Sequence, residues 1–178
     1  MKFVQLTVLI CISMLLAACA APASRDAMEV PSTIGAQYSQ DNFLTRKVTV
    51  GTVTGGKETN PAWTSEIGNE EFAAALRNSL ETAYLLVYHT DAQYILDAEL
   101  VEIHQPVFGF TFTVKSRIRY TLQEAGSGKT VLQEEITADG TATTGDAFMG
   151  VKRLKIANER SAQENIKQLI DRLYEFHG

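Results

Sequence analysis

The chain has 178 residues, of which 45% are hydrophobic, a length and apolar content that fit one domain plus a short appendage. Its 16 Lys and Arg against 21 Asp and Glu leave a net charge of −5, which argues against nucleic acid as a partner, because phosphate binding relies on clustered basic charge. In chain order, Met1 and Lys2 come first, then the apolar run Phe3 to Leu16, then Ala17 and Ala18 before Cys19. The run is shorter than the roughly 20 residues a bilayer-spanning helix needs, and Gln5, Thr7 and Ser13 lower its hydrophobicity, so it is expected to be a targeting segment.

Leu16, Ala17, Ala18 and Cys19 resemble a bacterial lipobox. The resemblance implies cleavage before Cys19 once its sulfur carries a diacylglyceryl group, and Ala20 in the next position implies the outer membrane, with the domain facing the periplasm. Ordinary secretion with cleavage near Ala20 or Ala21, and an uncleaved anchor, are the competing readings; neither accounts for the placed cysteine. Cys11 is a poor competitor, since Leu9 and Ile10 before it are bulky. The expected organisation is a signal peptide over 1–18, a lipidated N-terminus and flexible tether over 19–42, and a single domain over 43–178. Losing the signal leaves Cys19 as the lone cysteine, so no intrachain disulfide forms and its chemistry is that of a lipid tether.

The stretch from Ala20 to about Asp41 is small and polar with two prolines, which reads as a spacer. "RKVTVGTV" reads as a strand closed by Gly55 and Gly56. Phe72, Leu76, Leu80, Ala83 and Val87 recur at helical spacing and predict a helix over about 66–87, with Ser65 or Asn69 as its cap. Leu154, Ala157, Ile166, Leu169, Ile170 and Leu173 predict a second helix near the C-terminus. Between them, "QYILDAELVEI" switches parity at Val101, which predicts a bulge. "FGFTFTVKSRIRYTLQE" alternates strictly, with only Ser116 interrupting its apolar face, and a third run spans about Thr130 to Thr143. The expected fold is α+β: an antiparallel meander of about four strands with two helices packed on one face.

Lys115, Arg117 and Arg119 form a basic row on the wet face, a candidate anion site for a lipid or lipopolysaccharide headgroup. Pairing offers a structural account. Residues summing to 212 across the first hairpin put Asp97 opposite Lys115 and Tyr94 opposite Ile118. A sum of 254 across "AGSGK" puts Arg119 opposite Glu135, Lys115 opposite Asp139 and Leu122 opposite Leu132. "GSGKT" lacks the first glycine of a phosphate loop and sits between two strands, so a hairpin turn is expected and no nucleotide. In "HQPVFGF", Val107, Phe108 and Phe110 are candidate partner contacts at a hairpin tip; the bland expectation is that a helix end or the loop at Trp63 covers them.

His89, His104 and His177 are scattered, no nucleophile elbow is present, and no cofactor, metal or catalytic residue is assigned. The order strand, helix, meander, helix behind a lipobox resembles the small α+β envelope lipoproteins of the YajG-like and LptE-like groups; the likeness is in element order, and no internal residue carries over. The expected function is that of a non-catalytic lipoprotein, held in the membrane through Cys19, that binds another envelope component, a protein. The alternatives are lipid or lipopolysaccharide binding or assembly through the basic row and, behind that, a periplasmic hydrolase.

Overall fold

In chain order, two single-turn helices, α1 (Arg25–Met28) and α2 (Ser32–Gly35), precede strand β1 (Val48–Thr54) and helix α3 (Asn69–Thr82). Strands β2 (Tyr94–His104), β3 (Phe112–Glu124) and β4 (Thr130–Ala142) follow, and helix α4 (Gly150–Glu175) ends the fold. These elements come from a computed structural model that describes residues 20–35, 37–60 and 64–178. The expectations placed on residues 1–19 and on Trp63 lie outside the described residues.

The four strands make one sheet in the order β1-β2-β3-β4, and α3 and α4 pack on one of its faces. The meander is antiparallel from β2 to β4, but β1 lies parallel to β2, pairing Val48 with Tyr94 and Val50 with Leu96. This corrects the all-antiparallel expectation. A chain that leaves one strand, crosses over as a helix and returns beside it arrives parallel, and α3 is that crossover. The helix also ends earlier than its apolar spacing suggested. Tyr84 takes a left-handed φ of 59°, and the residues after it run extended, with Val48 N donating to Leu85 O and Val87 N to Val48 O. Leu85 and Val87 thus belong to a segment alongside β1, not to a helix. Nor does Asn69 or Ser65 cap α3: Gly68 stands at the N-cap, and Asn69 Oδ1 accepts from Gly56 N at 2.7 Å.

Between β3 and β4 the register is the one the sequence predicts: Leu122 faces Leu132, Arg119 faces Glu135 and Lys115 faces Asp139. The bulge in β2 also falls where the parity switches, between Leu100 and Glu102. The β2–β3 register is different from the predicted one. Ala98 faces Tyr120, Leu100 faces Ile118 and Lys115 faces His104, so Asp97 is not its partner. The connection from Gln105 to Thr111 is longer than the tight hairpin assumed, and both registers keep apolar residues on one face. Asp97 is occupied elsewhere: its Oδ1 accepts from Thr52 N at 2.7 Å, at the irregularity between Val50 and Val53.

The core joins the inner faces of both helices and the sheet, and Tyr120, Phe72, Leu76, Leu96, Ile118 and Ile166 are among its fully buried side chains. Ser116, the polar break in the apolar face of β3, is satisfied there. Asn165 Nδ2 donates to Ser116 Oγ at 3.2 Å and to Ile136 O at 3.0 Å, while Tyr120 Oη donates to Asn165 Oδ1 at 2.9 Å. Gly140 allows α4 to lie against the sheet: a Cβ there would meet Ala157 O and Ser161 N, each at 2.2 Å.

The stretch read as a flexible spacer is packed. Ala23, Met28, Val30 and Leu44 are buried in the core. Its polarity misled because the segment is held largely by hydrogen bonds along α4. Ser24 Oγ donates to Glu159 at 2.8 Å, Gln163 Nε2 to Glu29 O at 2.7 Å, Tyr38 Oη to Asp171 at 2.7 Å, and Asn42 Nδ2 to Tyr174 O at 3.1 Å.

Candidate functional site

At the end of the sheet where α4 begins, two loops lie side by side: Gln105 to Thr111, between β2 and β3, and Thr143 to Met149, between β4 and α4. Together they present an apolar surface. Val107 is 93% exposed, Phe108 88%, Phe110 82% and Phe148 94%, values that rule out a cover among the described residues. Met149 adds a partly exposed side chain beside them. The expectation that a helix end covers the tip is therefore corrected. The loop leaves β2 just beyond its bulge, and Gly109, at a φ of 149° that favours glycine, turns the backbone so that Phe108 and Phe110 stand off the core while Phe112 returns to it.

Arg153 holds the two loops together. Its side chain is buried; Nη1 donates to Phe148 O at 2.6 Å and Ala147 O at 3.0 Å, and Nη2 donates to Gly109 O at 3.1 Å. The guanidinium also lies 5.2 Å from the Phe112 ring centroid, a cation–π distance. A planar fork with several donors can bridge carbonyls from both loops at once. The β4–α4 loop is pinned a second time by Arg160, which donates to Thr141 O and Asp146, each at 2.6 Å. Arg160, with the Thr143 backbone amide, holds the Asp146 carboxyl well below the usual carboxylate range.

The basic row points to open solvent and is neutralised along its length. Arg117 pairs with Glu102 at 2.8 Å and Glu135 at 3.0 Å; Arg119 pairs with Glu99 at 2.6 Å and Glu135 at 3.0 Å; Lys115 stands 3.9 Å from Asp139. Arg117 first, and Arg119 with it, hold Glu135 below its ordinary range, and Glu102 and Glu135 raise Arg117. A headgroup phosphate would have to displace carboxylates that already fill these cations.

Cys19 lies outside the described residues. Phe148, Met149 and Arg153 belong to the apolar end but carry no sequence signal of it: Phe148 is a lone aromatic in a polar loop, and Arg153 resembles any cation in the first turn of a helix. An opening of about 570 Å³ lies between Ala20, Pro22, Lys57 and the start of α3, at Asn69 to Glu71. Its titratable lining consists of Lys57, Glu58, Glu70 and Glu71. Among the described residues, no group of three or more His, Cys, Asp or Glu side chains is placed to hold a metal.

No protein family matches the sequence, and no curated protein does. Solved structures do share the fold. A DUF330 protein from Xanthomonas campestris superposes with a TM-score of 0.54 at 10% identity, over 72% of this chain and 84% of its own. A candidate lipoprotein from Caulobacter crescentus CB15 gives 0.51 at 14% identity, over 82% and 96%. The hypothetical protein CT253 from Chlamydia trachomatis gives 0.54 at 12% identity, over 72% and 95%. The chain therefore shares its fold with these bacterial proteins, and likeness at this level of identity extends to the fold alone.

Proposed function

We propose that the chain is a lipid-anchored, non-catalytic cell-envelope protein, held in the outer membrane through Cys19 with its domain facing the periplasm, and that it binds another envelope component. The carrying observation is the apolar end: four large side chains stand exposed on two loops that Arg153 ties into one surface. Soluble domains rarely leave such a cluster open without a use, and rigid aromatic side chains bury much area at low entropic cost. The basic row is the weaker candidate, because each of its cations already faces a carboxylate. A hydrolase would need titratable groups converging in a pocket, and the opening beside the start of α3 supplies only exposed carboxylates and a lysine at its rim.

Two measurements test this reading. Cys19→Ser should leave an uncleaved or soluble product, and normal processing with outer-membrane fractionation of that variant would defeat the anchor. Affinity capture of the intact protein from detergent-solubilised envelopes should bring down associated protein or lipid, and Phe108→Ser should reduce that yield at an unchanged melting temperature. Unchanged yield would remove the apolar end from the function.

A further inference from the structure

Resting on the reading just given, we infer that the envelope component met by the apolar end is the lipid surface of the membrane that carries the anchor: Val107, Phe108, Phe110 and Phe148 enter the bilayer interface beside the acylated N-terminus. The argument is one of position. From Ser24 onward the N-terminal segment descends α4 toward its C-terminus, meeting Glu159, then Gln163, then Asp171, then Tyr174. Residues 20–23 lead the opposite way, toward the end where α4 begins, with Ala20 and Pro22 beside the start of α3. Ala23 N donates to Glu66 O at 3.0 Å, and Glu66 Oε2 accepts at 3.2 Å from Gln105, two residues before Val107.

Reach decides which end an anchor at Cys19 can place on a membrane. At about 1.5 Å per residue, Glu159 lies roughly 14 Å from the Gly150 end of α4 and roughly 24 Å from the Glu175 end. Five residue-to-residue steps separate Ser24 from Cys19, and fully extended they span at most about 18 Å. The end bearing Phe148 and Phe108 is within that reach; the far end of α4 is not. Because the segment from Ala23 onward packs into the fold, no long spacer lifts the domain away from the bilayer. A membrane-anchored domain on so short a lead must rest one end against the lipid, and this end carries exposed Phe side chains of the amphipathic-anchor type.

Single cysteines at Phe108→Cys, Phe148→Cys and, as a control on the β3–β4 hairpin at the other end, Ser127→Cys would each carry a nitroxide. In the mature lipidated protein Cys19 is blocked by its lipid, so each label has one site. The protein is reconstituted in vesicles of phosphatidylethanolamine and phosphatidylglycerol, with mass spectrometry of the N-terminal peptide reporting the lipid. At 108 and 148 the label should shift toward contact with oxygen, which concentrates in lipid, and lose contact with an aqueous nickel chelate, while 127 stays in water. Labels at 108 and 148 that remain water-accessible on a lipidated protein overturn the inference and leave the anchor standing. Shielding in the absence of vesicles would assign the surface to a second copy, and shielding only in native envelopes would assign it to a protein partner; either overturns it. An N-terminus without lipid defeats the previous reading by itself. Depth at 108 and 148 then still decides the inference, since lipid contact supports insertion by the tip alone and water contact refutes it.

Discussion

Arg153 shows how one side chain can determine a surface it does not itself present. It is buried, and its guanidinium serves carbonyls from Gly109, Ala147 and Phe148, the backbone of both apolar loops. Arg153→Met keeps the aliphatic stem and leaves those carbonyls without a donor, so it should lower stability by about 1–3 kcal/mol. Protease cutting after Phe108 or Phe148 should accelerate as the loops part; wild-type cleavage rates and an unchanged denaturation midpoint would show that the loops hold without it. Asp146 makes a second residue-scale case. Arg160, then the Thr143 amide, depress its folded pKa, so its contribution is present above the unfolded value of about 3.9 and is lost as pH falls below that toward the lower folded value. Arg160→Gln should move the Asp146 titration upward toward the ordinary carboxylate range in an NMR pH series. An unmoved titration would mean that the Thr143 amide and hydroxyl alone hold the carboxylate.

At the scale of elements, the outer face of β3 is a ladder of opposite charges running across three strands, with Arg117 and Arg119 each reaching one carboxylate on β2 and sharing Glu135 on β4. Exposed pairs of this kind contribute tenths of a kcal/mol to about 1 kcal/mol. Arg119→Glu should therefore cost within about 1 kcal/mol, and adding Glu135→Arg should recover part of it. Recovery should be incomplete, because the guanidinium introduced on β4 would also meet Arg117. Chemical denaturation of the four proteins in the cycle measures the coupling, and its absence would leave the ladder without energetic weight. The β3–β4 register was legible because a short turn and matched apolar and charged rows all pointed the same way. The β2–β3 register was not. A shift by an even number of residues preserves which face is apolar, and only the true length of the connection and the packing under it choose among such shifts.

For the whole molecule, the N-terminal segment belongs to the fold. Met28 is fully buried among α1, α3 and α4, so Met28→Ala should cost about 2–5 kcal/mol in thermal or denaturant unfolding; a cost near zero would restore this segment to the status of a tether. By itself the sequence determined the α+β class, the paired strands β3 and β4, the bulge in β2 and the helical stretches of α3 and α4, and it carries a Leu-Ala-Ala-Cys pattern that resembles a lipobox. These are local periodicities and short-range patterns, and the structural ones are written into consecutive residues by the pitch of a helix and the pleat of a strand. Only the tertiary structure decided that β1 runs parallel to β2, that the described residues between 23 and 44 pack along α4, and that the loops bearing Phe108 and Phe148 meet over Arg153. Each of these joins residues far apart in the chain, so no window of sequence contains it. The exposure of Phe108 has the same origin: whether a ring on a loop is covered depends on which distant element reaches it, and here none of the described ones does.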